Sequence, residues 1–569
     1  MSTITERRAQ LLDRYPTWTP RTLDAWLDEV AQIYPDRPFV ITDEETWTYA
    51  DVEARSRLLA DGLTSLGVRP GDHVGMLMAN YADFVPLKFA IARAGAVAIP
   101  FNYLYQRDEL EYVLTQSRCS FLITMSSFSG LDYLAMLDDI APGWAGSSKT
   151  GTPRAEDEAL PALRHVAVYP TADDGRDDAL TLDNIVERGR MNPGAANASN
   201  HGPMDIADLL YTSGSTGSPK GVLVTHDSVL RTGYASALSR AYEDRRRILF
   251  SLPCYHMFGY LEGLISTMYV GGAVIMHTSF HAERYLAAIE KHRATDVLCV
   301  PTMAVALIES PARHTYDFSS LGAMFCASAP APVWLWKQLQ NDFGITEVST
   351  GYGMTETGGC MTITFPEDDL QLSIETVGRP KIAGAASRPG TDTLCEYRAV
   401  DPDTGTALPA GVPGELASAG PTAMLGYFDK PAETSAALRD GWVFSGDLGL
   451  VSDDGYLRLT GRSKEVYKSG GELVMPKEVE DVIVQHEEIT QAFAFGVQDD
   501  RWGEVGWVVV VTTPGSTIDS DGVIEHCKAN LARFKVPRRV VFMDTDNLPK
   551  TATGKVQKFR LYDAVQGAV

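Results

Sequence analysis

Apolar positions follow two different rhythms along the first hundred residues. They recur near helical spacing over Leu23–Ile33 and 52–66, and they form short unbroken runs over 74–79 (VGMLMA) and 96–100 (AVAIP). Helical spacing predicts amphipathic helices, and short apolar runs bounded by turn residues predict buried strands. With a further helix expected over 84–95, this alternation predicts a mostly parallel sheet covered by helices on both faces.

The pattern changes twice farther along the chain. Residues 143–205 are small and polar with few apolar positions, so we expect an exposed insertion around one short strand, 163–170 (LRHVAVYP). From about residue 385 the sequence turns to short strands separated by glycine and proline, which predicts a small β subdomain. From residue 465 onward, strands and helical windows mix again and predict a separate compact domain.

Composition and charge limit the class of protein. Asp and Glu number 74 against 50 Lys and Arg, and a formal net charge of −24 argues against nucleic-acid and anionic-lipid partners. Seven scattered cysteines without a CxxC pair indicate a reducing compartment. The N-terminus lacks the apolar core of a signal peptide, and the most apolar stretch, 264–276, is shorter than the roughly 20 residues that cross a bilayer. We therefore expect a cytoplasmic protein without a membrane span.

One segment, 211–221 (YTSGSTGSPKG), carries a clear chemical signal. It lies between two apolar runs and combines hydroxyls, glycines that free backbone N–H groups, and one cation, which together make a cradle for phosphate. A flexible linker would not normally lie between two buried strands and end in Pro-Lys-Gly, and the segment is not a Walker A loop. The candidate phosphate-binding residues are Thr212, Ser213, Gly214, Ser215, Thr216, Gly217 and Lys220.

Six more motifs follow in a fixed order. They are 255–259 (YHMFG), 351–356 (GYGMTE), 445–449 (SGDLG), 461–465 (GRSKE), 468–472 (KSGGE) and 548–555 (LPKTATGK). Together with the phosphate loop, this set resembles the adenylate-forming enzymes: acyl- and aryl-CoA synthetases, peptide-synthetase adenylation domains and luciferases. The resemblance covers nearly the whole chain.

The resemblance implies a role in ATP binding for each matched residue. A carboxylate would attack the α-phosphorus of ATP, so negative charge must be offset around the triphosphate. Glu356, with Thr216, would hold Mg²⁺, and Thr355 would bind the α-phosphate. The remaining nucleotide-binding positions are Gly351, Tyr352 and Gly353 at the adenine, and Asp447 and Arg462 at the ribose.

The resemblance also implies a domain rotation. It places the boundary between an N-terminal domain, 1–463, and a mobile C-terminal domain, 464–569, with Lys464 as the hinge. Lys555 would bridge the carboxylate and α-phosphate during adenylation, and Lys468 would reach the acyl adenylate after the rotation. The expected fold class is therefore α/β: doubly wound α/β subdomains and a small β subdomain, followed by a small mobile α+β domain.

The acid-binding residues are implied by the same resemblance. They are His256, Met257, Phe258, Gly259, Thr302, Ala327, Ser328, Ala329 and Pro330. Their apolar and small character favours a hydrophobic acid, and His256 is expected to form a pocket wall. The chain departs from the family pattern at Leu473, where many relatives carry Asn or Gln, and at 326–330, where CASAP replaces GGAP.

We therefore predict an AMP-forming acyl-CoA synthetase that uses ATP, Mg²⁺ and coenzyme A on a fatty, aromatic, alicyclic or terpenoid acid. The alternative is an acyl-AMP ligase that loads the phosphopantetheine of a carrier protein or stops at the adenylate. A luciferase-like oxygenase has no support in the sequence. A non-catalytic nucleotide sensor would be expected to have lost Lys220, Glu356 or Lys555, and all three are present. We expect a monomer or homodimer.

Overall fold

The computed structural model describes residues 2–146, 153, 160–171, 176–198, 200–212, 219–328, 331, 333–402, 404–462, 465–469, 472–499, 502–531, 533–550 and 556–566. Two large sheets form the centre of the N-terminal part. Their strands are short and buried, as the apolar runs predict, and most neighbouring strands are parallel.

The eight-stranded sheet carries the phosphate loop between two of its strands. In spatial order its strands are Gly426–Tyr427, Lys220–Thr225, Ile206–Thr212, Val97–Pro100, His73–Leu77, Phe121–Met125, His165–Tyr169 and Leu180–Thr181. The seven-stranded sheet runs Glu347–Ser349, Ala323–Cys326, Asp296–Cys299, Arg247–Phe250, Ala273–Met276, Pro38–Ile41 and Thr46–Thr48. The mostly parallel sheets with helical connections confirm the predicted α/β class.

The helices of this part connect the strands. They are Ile4–Arg14, Leu23–Ile33, Tyr49–Ser65, Phe84–Arg93, Arg107–Gln116, Tyr133–Ile140, Leu182–Met191, His226–Ser239, Ser266–Met268, Ala282–His292, Pro301–Glu309, Val333–Phe343, Leu370–Glu375 and Pro431–Ala437, with a π-helix at Phe258–Ile265. The helix expected over 52–66 begins earlier, at Tyr49, because Thr48 caps it. The Thr48 hydroxyl accepts from the Asp51 amide, and the Asp51 carboxylate accepts from the Thr48 amide.

Smaller sheets complete the chain. A three-stranded sheet contains Gly351–Met354, Gly359–Ile363 and Arg379–Pro380, and a five-stranded sheet contains Glu396–Val400, Gly414–Ala419, Leu438–Arg439, Trp442–Val451 and Leu457–Arg462. The C-terminal part combines Tyr467–Ser469, Glu472–Val474, Ile489–Asp499, Gly503–Thr512 and Arg539–Phe542 with helices Pro476–Ile483, Ser520–Asn530 and Lys558–Gln566. The predicted β subdomain and the small α+β region are both present.

The buried apolar side chains fall into separate cores. One continuous cluster extends from Leu11 to Leu457. Two smaller clusters lie between Tyr467 and Val565, on opposite faces of the C-terminal sheet strand Gly503–Thr512. The C-terminal part therefore has apolar cores of its own.

The apolar stretch at 264–276 is not one continuous element. It contains the end of the π-helix, the three-residue helix Ser266–Met268 and the strand Ala273–Met276. Within the described ranges, we find no helix with the length and apolar character needed to span a membrane.

The expectation of an exposed insertion is wrong for the described part of 143–205. The strand His165–Tyr169 lies inside the eight-stranded sheet, and the helix Leu182–Met191 packs against Tyr49–Ser65. Two glycines allow this close approach. A Cβ atom at Gly62 would lie 2.0 Å from the carbonyl oxygen of Ile185, and one at Gly189 would lie 1.9 Å from that of Leu58. Gly189, which lies in a stretch expected to be a loop, instead contacts the helix Tyr49–Ser65.

Replacing Gly189 tests this contact. Gly189→Ala is expected to lower the free energy of unfolding by about 1–3 kcal/mol, because the new methyl group must push two backbones apart. Alanine has a higher helix propensity than glycine, which by itself would raise the free energy of unfolding. A lower free energy of unfolding in Gly189→Ala would therefore be due to the steric contact. Gly322→Ala is the control, since a Cβ there meets no atom within 4 Å. Equal denaturation midpoints for the two variants would contradict the packing described.

A buried pair ties the N-terminal helix Leu23–Ile33 to the loop before the phosphate strand. His201 Nε2 lies 3.0 Å from Asp24 Oδ1. Burial is the largest single effect and disfavours the ionised form of Asp24. The hydrogen bonds from His201 and Thr22, with the charges of His201 and Arg93, together outweigh it and lower the Asp24 pKa to about 2. The same hydrogen bond raises the pKa of His201 above its ordinary 6.5.

This pair predicts a pH-dependent stability difference between the wild type and Asp24→Asn. The lowered pKa of Asp24 stabilises the folded state above about pH 3.8, and this contribution is lost as the pH falls toward 2. The raised pKa of His201 stabilises the folded state below about pH 6.5, and this contribution is lost as the pH rises through the raised value. The difference in unfolding free energy should therefore be largest, about 2 kcal/mol, near pH 5–6. A difference that stays constant from pH 3 to pH 9 in urea titrations would refute the assignment.

Candidate active site

The two ends of the predicted phosphate loop are joined by a β-ladder. Strands Ile206–Thr212 and Lys220–Thr225 are antiparallel, and Thr212 pairs directly with Lys220. The loop residues Ser213, Gly214, Ser215, Thr216 and Gly217 lie outside the described residues. Thr212 and Lys220, which flank the loop in the sequence, are both half-buried on adjacent strands of the eight-stranded sheet.

Lys220 and Glu356 both contact one tyrosine, Tyr427. The strand Gly426–Tyr427 pairs with the Lys220 strand, and the Lys220 ammonium lies 5.2 Å from the centroid of the Tyr427 ring. The Tyr427 hydroxyl donates to Glu356 Oε1 at 2.9 Å. Burial is the largest effect and holds the pKa of Glu356 above its ordinary value, although the Tyr427 hydrogen bond and the Lys220 charge act to lower it. Glu356 is thus a buried carboxylate that is linked through Tyr427 to Lys220.

The GYGMTE segment forms a tight hairpin that requires its glycines. A Cβ at Gly351 would lie 2.4 Å from the Thr362 carbonyl oxygen, and one at Gly353 would lie 1.9 Å from that of Gly359. The chain then enters a 3₁₀ turn, Thr355–Thr357, in which Thr355 and Glu356 are both buried. The hairpin therefore fixes the positions of these two predicted phosphate and metal contacts.

Tyr352 connects the hairpin to the predicted ribose-binding acid. Its hydroxyl donates to Asp447 Oδ2 at 2.5 Å. Burial and the negative charge of Asp447 raise the pKa of Tyr352 well above its ordinary value. Asp447 pairs through its backbone with Arg462 on the next strand. The sequence-predicted nucleotide residues therefore form two contacting pairs: Lys220 with Glu356 through Tyr427, and Tyr352 with Asp447.

The C-terminal residues are less completely described. Lys468 lies in the hairpin Tyr467–Ser469/Glu472–Val474, where its backbone pairs with that of Leu473. Lys464 and Lys555 lie outside the described residues.

The predicted acid-binding wall lies on and next to the π-helix Phe258–Ile265. Met257 and Phe258 are buried, and Phe258 packs edge-on against Phe325 with ring centroids 5.2 Å apart. His256 accepts at Nδ1 from the Phe258 amide at 3.3 Å, a local turn contact that suits a wall residue. A long π-helix is rare in proteins and is frequent at functional sites.

The other acid-binding predictions surround this wall. A Cβ at Gly259 would lie 2.5 Å from the Leu252 carbonyl oxygen, so the π-helix meets the strand end closely there. Thr302 is half-buried in the first turn of Pro301–Glu309, and Ala327 is buried after the strand Ala323–Cys326. Ser328 has a left-handed backbone with φ of +75°, at a glycine position in the pattern of relatives. Ala329 and Pro330 lie outside the described residues.

Sequence reasoning missed the buried charges that anchor the π-helix. Lys88 Nζ lies 2.7 Å from Asp208 Oδ1, and the Tyr260 hydroxyl donates to Asp208 Oδ2 at 3.2 Å. A lysine inside the apolar helix 84–93 and an aspartate inside the strand 206–212 were the available signals, because both are unusual at fully buried positions.

A second buried pair lies on the same helix. Lys381 Nζ lies 2.5 Å from Glu262 Oε1 and donates to the Ser236 hydroxyl at 2.8 Å. Both charged side chains are fully buried. Removing either partner alone would leave an uncompensated charge, at a cost of about 3–5 kcal/mol.

Two family descriptions match this chain. Residues 27–428 match the AMP-binding enzyme family, and residues 478–555 match the AMP-binding enzyme C-terminal domain. The chain belongs to the AMP-binding enzyme family. Its place in the acyl-CoA synthetase branch confirms the predicted reaction class, in which a ligase forms acyl-CoA through an acyl adenylate.

Named relatives cover almost the whole chain. A 3-[(3aS,4S,7aS)-7a-methyl-1,5-dioxo-octahydro-1H-inden-4-yl]propanoyl:CoA ligase from Mycobacterium tuberculosis is 35% identical over 543 residues, which is 95% of this chain and 98% of the relative. A feruloyl-CoA synthase from Amycolatopsis sp is 33% identical over 536 residues, covering 94% and 97%. The crystal structure of the anthranilate CoA ligase AuaEII with anthranoyl-AMP aligns with a TM-score of 0.81 at 25% identity, covering 97% and 99%.

The residues present fit a magnesium ion held mainly by phosphate. Within the described part of the chain, no group of three or more His, Cys, Asp or Glu side chains is arranged to hold a metal. Mg²⁺ is commonly held by one or two carboxylates together with substrate phosphates and water. Glu356, a buried carboxylate that is linked through Tyr427 to Lys220, is the right donor for such a site.

Proposed function

We propose that this enzyme activates a hydrophobic carboxylic acid, which is fatty, aromatic, alicyclic or terpenoid, as acyl-AMP and transfers the acyl group to coenzyme A. The observation that carries the proposal is the joining of Lys220 and Glu356 through Tyr427, together with the hydrogen bond from Tyr352 to Asp447. The buried apolar side chains of the π-helix wall support a hydrophobic acid. The names of both relatives and of the aligned structure refer to acyl groups that contain rings.

In the first half-reaction, an oxygen of the substrate carboxylate forms a bond to the α-phosphorus of ATP, and the bond to pyrophosphate breaks. Lys220 and the loop hydroxyls would offset the charge of the triphosphate, and Lys555 would approach the reacting carboxylate and α-phosphate. Mg²⁺, when bound, supplies charge neutralisation on the phosphate oxygens. Glu356 would hold the ion, and Thr355 would donate to the α-phosphate.

Asp447 and Tyr352 would hold the nucleoside. The two oxygens of a carboxylate suit the paired ribose hydroxyls, and the Tyr352 hydroxyl fixes the Asp447 side chain by the bond at 2.5 Å. Arg462, the backbone partner of Asp447, would reach the same sugar or its phosphate. This arrangement orients the α-phosphate toward the acid pocket.

In the second half-reaction, the thiol of coenzyme A attacks the acyl carbonyl, the carbon–sulfur bond forms, and AMP leaves. We assign the hinge to Lys464 and the contact to the acyl adenylate to Lys468. The separate apolar cores of the C-terminal part support a domain boundary between residues 457 and 467. A carrier-protein phosphopantetheine is the alternative acceptor.

The function is tested by mass spectrometry of products after incubation with ATP, Mg²⁺ and a library of carboxylic acids, with and without coenzyme A. Acyl-CoA that appears only when coenzyme A is added would support the proposal and identify the acid. Acyl-AMP that accumulates despite added coenzyme A would favour the carrier-protein acceptor and contradict the proposed second step.

The two lysine assignments predict opposite losses. Lys555→Ala should abolish formation of acyl-AMP and leave the reaction of supplied acyl-AMP with coenzyme A largely intact, because only adenylation needs this cation. Lys468→Ala should impair thioester formation more than adenylation. Pyrophosphate release and thioester formation are measured separately in single-turnover reactions. Equal loss of both half-reactions in a folded Lys555→Ala variant would contradict the rotation.

A further inference from the structure

Tyr427 contacts both partners of the proposed phosphate and metal site. Its hydroxyl donates to Glu356 Oε1 at 2.9 Å, and its ring lies 5.2 Å below the Lys220 ammonium. The contact to Glu356 joins residues 71 positions apart in the sequence. None of the seven motifs quoted above includes Tyr427.

The backbone around Tyr427 leaves its ring little freedom. Gly426 has φ of +145°, and Tyr427 pairs with Val222 on the Lys220 strand. The Tyr427 amide donates to the Thr434 hydroxyl at 2.9 Å. On the other side, the Met424 amide donates to the Glu356 carbonyl oxygen at 2.9 Å. The 424–427 segment is thus bonded to the backbone of Glu356 and to the Lys220 strand at the same time.

The chemistry of a tyrosine suits both contacts. Its single hydroxyl donor engages one oxygen of the Glu356 carboxylate and leaves that carboxylate charged. Its ring face attracts the Lys220 ammonium without neutralising it. Among the described residues, no carboxylate lies within salt-bridge distance of Lys220. An acidic residue in place of Tyr427 would instead compete with phosphate for the cation.

We propose that Tyr427 is a positioning residue that orients the Glu356 carboxylate and the Lys220 ammonium for the ATP β- and γ-phosphates and their Mg²⁺. The proposal rests on the proposed function, because it takes the assignments of Glu356 and Lys220 from it. Tyr427 acts on the reaction through these two side chains.

Two substitutions separate the two contacts. Tyr427→Phe removes only the hydrogen bond to Glu356 and keeps the ring beneath Lys220, whereas Tyr427→Leu removes both. Tyr269→Phe is the matched control, since Tyr269 is buried and its hydroxyl donates to the Leu230 carbonyl oxygen at 2.8 Å outside the proposed site. All variants are made in the full chain and compared at a temperature at which circular dichroism shows them folded.

The readouts are calorimetric affinity for MgATP, calorimetric affinity for AMP without metal, and single-turnover pyrophosphate release. Tyr427→Phe is expected to weaken MgATP binding and slow adenylation by about 10-fold or more, the effect of losing a hydrogen bond to a charged group. Tyr427→Leu should weaken MgATP binding by about 3-fold further. Affinity for AMP should not change, because AMP lacks the phosphates that these side chains are proposed to meet.

A double-mutant cycle with Glu356→Gln tests whether Tyr427 acts through Glu356. Tyr427→Phe should cause little additional loss in the Glu356→Gln background, and full additivity would overturn the proposal. The proposal for Tyr427 would also be overturned if Tyr427→Phe and Tyr269→Phe bound MgATP equally well. In that case, weak MgATP binding by Glu356→Gln would still support the metal role of Glu356. Unchanged MgATP affinity in Glu356→Gln itself would instead refute the proposed function, and this inference with it.

Discussion

Charges buried in pairs hold the predicted acid-binding wall in place. The π-helix Phe258–Ile265 is joined through Tyr260 to the Lys88–Asp208 pair and through Glu262 to Lys381. Desolvating a charge costs several kcal/mol unless a partner compensates it, so each pair tolerates only a narrow range of geometries. The helix that carries the wall is thereby fixed against both the eight-stranded sheet and the segment around residue 381. The apolar wall depends on polar contacts behind it.

The nucleotide cluster is assembled from elements that are far apart in the sequence. Lys220 comes from the eight-stranded sheet, Glu356 from the turn between the first two strands of the three-stranded sheet, and Asp447 from the five-stranded sheet. Tyr427 and Tyr352 are the side chains that connect them. Gly351 and Gly353 lie directly against the neighbouring strand Gly359–Ile363, so the position of Glu356 depends on close pairing within the three-stranded sheet.

Local features of the fold could be predicted well from the sequence. The helix Leu23–Ile33 and the strand Ile206–Thr212 coincide with their apolar patterns, because both elements bury one face or both against their immediate neighbours. The phosphate-loop flanks and the GYGMTE hairpin could also be located, since motifs are local. Non-local contacts could not be predicted. Gly189 lies in a small, polar stretch that is typical of a loop, and its packing partner, Leu58, is far away in the sequence. In the same way, nothing in the local sequence around Tyr427 indicates its contact with Glu356.

The division of the apolar cores has a consequence for the energetics of a domain movement. The clusters between Tyr467 and Val565 are closed within the C-terminal part. A domain that retains its own apolar core can change orientation without exposing that core to water. The free-energy barrier to such a movement would then depend on the contacts at the domain surface. Hydrophobic burial then contributes equally to both orientations, and bound ligands can decide between them with the few kcal/mol that differential contacts supply.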